Sequence, residues 1–109
     1  MKDKPLMWLH GEVRSPPFSQ EARTEAGYLL KPVQRGESLG LPRSRPMPSI
    51  GSGCHELRIN EASGEWRIVY KSAPEAVIVL EVFKKTSRST PRPIVIACRS
   101  RLRRYEGIR

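Results

Sequence analysis

The stretch from residue 54 to residue 83 most limits what this chain can fold into, because three runs of strand character follow one another there across short turns. In His55-Glu56-Leu57-Arg58-Ile59-Asn60, Leu57 and Ile59 fall on one face and Glu56 and Arg58 on the other. Glu65-Trp66-Arg67-Ile68-Val69-Tyr70-Lys71 repeats the alternation, setting Trp66, Ile68 and Tyr70 against Arg67, Val69 and Lys71. Val77 to Phe83 is nearly all apolar, as a strand covered on both faces reads, and is expected at the centre of the sheet. The links Glu61-Ala62-Ser63-Gly64 and Ser72-Ala73-Pro74-Glu75 are too short for a crossover helix. The three strands must therefore form an antiparallel meander.

The flanking segments have to cover that sheet. Leu6-Met7-Trp8-Leu9 reads as a short strand ending near Gly11, and Ser15-Pro16-Pro17 turns the chain. Phe18, Ala22, Ala26, Leu29, Leu30 and Val33 then share one helical face, with Ser19 as N-cap and Glu21 well placed for the helix dipole. Pro32 has no N–H to offer the Tyr28 carbonyl, so a kink or break is predicted there, and Gly36 is a natural stop. Residues 36–53 hold four Gly, three Pro and four Ser together with Arg43 and Arg45, and read as one long, extended loop. Near the end, Pro93-Ile94-Val95-Ile96 would suit a strand. Thr90-Pro91, however, offers an N-cap followed by proline at the first helical position. Ile94, Ala97, Cys98, Arg101, Leu102 and Tyr105 then share a face, which predicts a helix. One α+β domain over residues 1–109 follows, an N-terminal helical segment and a C-terminal helix packed on a twisted, mostly antiparallel sheet.

Charge narrows the function. The net charge is +9, and nine basic residues stand against one acid from Lys84 onward, whereas the first 83 residues hold eleven against ten. Such concentration suits a polyanion or an acidic protein partner. The longest apolar run, Ala76 to Leu80, is five residues, against the roughly twenty of a membrane-spanning helix. Met1 to Gly11 lacks the pattern of a secretory signal. Cys54 and Cys98 lack both a disulfide framework and zinc spacing. The expectation is a cytoplasmic protein with no membrane association, metal or cofactor. Lys84-Lys85-Thr86 resembles the end of a phosphate loop without its glycines, and Cys54 and His55, adjacent in a strand, point to opposite faces.

What remains is a group of cations. Arg58 and Arg67 project from the first two strands of the meander, and Lys84 and Lys85 stand at the end of the third. Taken singly, each arginine can equally be surface decoration paired with Glu56 or Glu65. Together they suit RNA: fixed positive groups bind a phosphodiester and stabilise the charge that develops on its oxygens when the ribose 2′-OH attacks. No metal is needed for such chemistry. His55 and Glu56 are the nearest candidates for a general base. Arg92, Arg99 and Arg103 share a face of the last helix and, with Arg88, would extend RNA binding.

Glu56-Leu57-Arg58-Ile59, Trp66-Arg67-Ile68-Val69-Tyr70 and Val82-Phe83-Lys84-Lys85-Thr86, followed by Thr90-Pro91 and a basic helix, resemble the HigB-like branch of the RelE/ParE toxin superfamily. Ala26-Gly27-Tyr28-Leu29-Leu30, Val33-Gln34-Arg35-Gly36, and Pro46-Met47-Pro48 with Gly51 and Gly53 also fit. Pro32 departs from the pattern. The resemblance implies a RelE-like fold and the toxin of a type II toxin–antitoxin pair, an enzyme that cleaves mRNA on the ribosome, leaving 2′,3′-cyclic phosphate and 5′-hydroxyl ends. It assigns the catalytic roles to Arg58, Arg67, Lys84 and Lys85, and base stacking or proton transfer to Tyr105. It implies an antitoxin partner, often of helix-turn-helix type, in a hetero-oligomer. The superfamily also holds gyrase poisons, so a non-enzymatic protein-binding toxin and a non-toxic phage-derived RNA-binding protein are the alternatives.

Overall fold

A computed structural model describes residues 3–9, 19–62 and 64–108. The elements run β1 (Leu6–Trp8), α1 (Gln20–Gln34), β2 (Ser44–Pro46), β3 (Cys54–Glu61), β4 (Gly64–Ser72), β5 (Val77–Lys84) and α2 (Arg92–Ile108). The five strands form one sheet in the order β1-β5-β4-β3-β2, antiparallel except for the β1–β5 pair. α1 packs on one face and α2 on the other, so the α+β reading holds and the sheet is covered on both sides.

Alternation along the strands sorts the side chains between the two layers. Leu57 and Ile59 of β3 and Ile68 and Tyr70 of β4 join Ala22, Ala26, Leu29, Leu30 and Val33 of α1 in one apolar cluster. Cys54 and Val69 turn the other way, to meet Cys98 and Leu102 of α2. In β5 both sides are buried, which explains its apolar run. A bulge breaks the register there: Tyr70 pairs with Val79 but Val69 with Glu81, leaving Leu80 as the extra residue. The parity of β5 therefore flips. Val77, Val79 and Val82 pack toward α1, while Ile78, Leu80 and Phe83 pack toward α2. Glu81 falls on the α2 side, where Arg101 pairs with it at 3.2 Å and also donates to the Leu80 carbonyl at 2.7 Å.

Four expectations need correction. The apolar β5 is not the middle strand: β4 is, because β1 adds in parallel to the outer edge of β5. The span 36–53 is not one loop, since Ser44–Pro46 pairs antiparallel with Leu57, Glu56 and His55. Proline is tolerated at Pro46 because β2 is an edge strand. α1 does not break at Pro32 but runs on to Gln34; Pro32 lies in the last turn, which Arg35 N–H closes by bonding to Lys31 and Pro32 carbonyls, and Gly36 follows at φ +91°. α2 begins at Arg92, not Pro91, and the Thr90 hydroxyl bonds to the Glu56 carboxylate. The strand at Leu6, the N-cap at Ser19 and the C-terminal helix are as expected. The turn at Ser15-Pro16-Pro17, Gly11, the Phe18 start of the first helix and Ser63 of the first hairpin lie outside the described residues.

Candidate nucleic-acid interface

Strand register assembles the polar side of the sheet. Arg58 and Arg67 are direct partners across β3 and β4, so they share a face. Glu56 precedes Arg58 by two residues and lies on that face too, between Arg45 of β2 and Val69 of β4. Val69 belongs to the α2-side cluster, which places the whole group on the α2 face of the sheet. Glu56 is the hub. Its Oε1 lies 3.2 Å from Arg45 Nε and 3.6 Å from Arg67 Nε, and its Oε2 accepts from the Thr90 hydroxyl. Glu65, at the start of β4, lies 3.8 Å from both Arg67 Nη2 and Lys85 Nζ.

Burial divides the labour. The side chains of Glu56 and Arg67 are 3% and 4% exposed, while those of Arg45 and Lys85 keep 35% and 33%. Burial pushes the Arg67 pKa below its ordinary value; Glu65 and Glu56 oppose that shift, and Arg58 and Arg45 add to it. An arginine nevertheless stays charged. Arg67 is thus a fixed positive charge, oriented by Glu56, Glu65 and a 3.2 Å bond from Nη1 to the Trp66 carbonyl. Among the described residues four cations meet two carboxylates here, and Arg58 Nε is buried without a hydrogen-bond partner. A half-neutralised patch of this kind attracts anions.

Of the four cations singled out in the sequence, the structure gathers Arg58, Arg67 and Lys85. Lys84 goes elsewhere: it is the register partner of Trp66, which packs toward α1, so the β5 bulge turns it to the opposite face. His55 also faces the α1 side, its ring stacked on Tyr70 at 5.4 Å between centroids. Arg88, Arg92, Arg99 and Arg103 are exposed, Arg99 donating to the Ser49 carbonyl at 2.6 Å. Tyr105 is half-buried, and its hydroxyl donates to Glu75. Two members of the network escaped sequence reasoning. Arg45 sits in a three-residue strand beside a proline, too short to show a period, and Thr90 carries the appearance of a helix cap. In the structure Ser44, the neighbour of Arg45, is buried and shares a hydrogen bond with the Tyr70 hydroxyl at 2.9 Å, which turns Arg45 the other way.

Neither cysteine is poised for chemistry. Both are free and buried, and burial pushes the Cys54 thiol up and the Cys98 thiol up to about 12. Among the described residues no three His, Cys, Asp or Glu side chains come together to hold a metal ion, and no helix is long and apolar enough to cross a membrane. Compared with known proteins, residues 17–103 match the family model of the phage-derived Gp49-like proteins, DUF891. No curated protein matches the chain.

Proposed function

Since the chain belongs to the phage-derived Gp49-like family, within the RelE/ParE-like toxin superfamily, we propose that it is a HigB-like toxin of a type II toxin–antitoxin pair. Its reaction in this reading is metal-independent endonucleolytic cleavage of mRNA on the ribosome, in the cytoplasm. The observation that carries it is the α2-side patch: Arg58 and Arg67 opposite one another, Lys85 beside them, and, among the described residues, two carboxylates set against four cations.

Positively charged groups set around a phosphodiester hold it in line for attack by the neighbouring 2′-OH and stabilise the pentavalent transition state. Arg58 and Lys85 are the contacts in this scheme, and buried Arg67 supplies charge from beneath. Lys84, on the other face at the exposed end of β5, grips the RNA strand beyond the scissile bond. Arg88, Arg92, Arg99 and Arg103 track the backbone along α2, and Tyr105 is the stacking candidate. An antitoxin, of helix-turn-helix type by family resemblance, silences the toxin in a hetero-oligomer by covering the basic patch with acidic side chains.

The end groups of cleaved RNA test the reading. Attack by the 2′-OH leaves 2′,3′-cyclic phosphate and 5′-hydroxyl termini; 5′-phosphate termini would require another reaction. A second reading, an RNA- or protein-binding toxin without cleavage, draws on one observation. Both Glu56 oxygens are engaged by Arg45, Arg67 and Thr90, so that carboxylate is held as a structural anchor rather than turned toward a ligand. Intact mRNA with trapped gyrase–DNA complexes would favour that reading.

A further inference from the structure

We infer that Arg45 is a phosphate-contacting residue of the site and that it takes the oxygens of an RNA phosphodiester of its own, beside Arg58 and above the buried Arg67. This inference rests on the RNA-directed reading given above. Three observations carry it. First, Arg45 shares the face of Glu56, Arg58 and Arg67 through the β2–β3 and β3–β4 registers, standing diagonally across from Arg58. Second, only Arg45 Nε is engaged among the described residues, at 3.2 Å from Glu56, and the side chain keeps 35% of its surface. Its planar fork is thereby held in one orientation while both terminal nitrogens stay available, the arrangement that suits paired hydrogen bonds to phosphate oxygens.

The third observation is Arg58 Nε, buried without a partner. A buried guanidinium N–H left unsatisfied beside another arginine is costly, and an anion oxygen seated on this face would complete it. Arg67, at 4% exposure, is too enclosed to reach a ligand directly and needs an outer cation to make the contact. Glu56 then acts as the common anchor: it orients Arg45 outward and Arg67 beneath, while the Thr90 hydroxyl holds its second oxygen.

Salt dependence of RNA binding separates a phosphate contact from a structural arginine. Each contact to single-stranded RNA contributes about 0.7 to the slope of log affinity against log salt concentration. The affinity of the full chain for a fluorescent single-stranded RNA oligonucleotide is measured from 50 to 300 mM KCl. Arg45→Gln is expected to reduce that slope by about 0.7, and Arg45→Lys to retain it, since lysine keeps the charge. Arg23→Gln removes the same charge from the exposed surface of α1, across the sheet, and should leave the slope as it was. Chemical denaturation of each variant confirms that it is folded; Arg45→Met, which keeps the aliphatic stem and removes the charge, is read in the same way if Arg45→Gln does not fold. Slopes for Arg45→Gln and wild type that coincide would overturn the inference while the RNA-directed reading stands. A wild-type chain that binds RNA without salt dependence, or not at all, would overturn both.

Discussion

Glu56 holds the interface together, because its carboxylate is the shared counter-charge of one buried arginine and one partly exposed arginine. Glu56→Gln keeps the shape and removes the charge, leaving Arg67 buried without its nearest anion. Breaking a buried pair in this way costs about 3 kcal/mol, to be read as a fall in urea midpoint with unchanged slope. A midpoint within experimental error of wild type would show that Glu65 alone suffices for Arg67. Cys98 makes a different prediction. Its folded-state thiol stays protonated up to about 12, whereas the unfolded chain ionises near the ordinary value of 9.0. The folded pKa is the higher, so stability is fully present below pH 9 and is lost as pH rises toward 12. At about pH 10.5 the wild type should have lost roughly 2 kcal/mol more than Cys98→Ala, relative to each protein at pH 8. Parallel pH curves for the two would remove the burial argument for this thiol.

Among the elements, α1 starts from a single residue that can be tested. The Ser19 hydroxyl accepts from the Ala22 N–H at 3.2 Å and is also bonded to Glu61 at the end of β3. Ser19→Ala should therefore cost about 1 kcal/mol, seen as a thermal midpoint lower by about 4–8 °C. The β3–β4 hairpin depends on Gly64, at φ +150° with Lys84 Cε 2.9 Å from where a Cβ would stand. Gly64→Ala should cost about 1–2 kcal/mol, and an unchanged midpoint would mean that β4 re-registers without penalty. Element by element, the meander and both helices were legible because their apolar periods span a whole strand or several helical turns. Ser44–Pro46 was not legible, since three residues ending in proline carry no period and pair only because β3 offers an open edge. Nor was the bulge at Val69 and Tyr70 visible, as nothing in the Val77–Phe83 run marks the extra residue. That one residue decides the candidate site: it sends Lys84 to one face and leaves Lys85 to join Arg67. The sequence therefore named Arg58 and Arg67 from strand parity, but could not separate the two lysines or find Arg45 and Thr90.

At the scale of the molecule, the two faces of the sheet carry different work. The α1 face is an apolar core with Tyr70, Leu57 and Ile68 fully enclosed. The α2 face joins an apolar half under the helix to a cationic half beside it, and the exposed arginines of α2 continue that charge outward. This division accounts for much of the uneven distribution of charge along the chain, because the end of β5 and α2 deliver Lys85 and the arginines of α2 to one side. An antitoxin that covers this side should associate fast at low salt and markedly slower as ionic strength rises; an association rate indifferent to salt would place its docking surface elsewhere. The central claim is that the patch around Arg58, Arg67 and Lys85 cuts mRNA during translation. Mapping mRNA ends in a reconstituted translation reaction, with and without ribosomes, tests it most directly. The account predicts new 5′-hydroxyl ends at fixed codon positions only where ribosomes translate, lost with Arg58→Ala and Lys85→Ala. Intact mRNA in the presence of folded, antitoxin-free protein would contradict it.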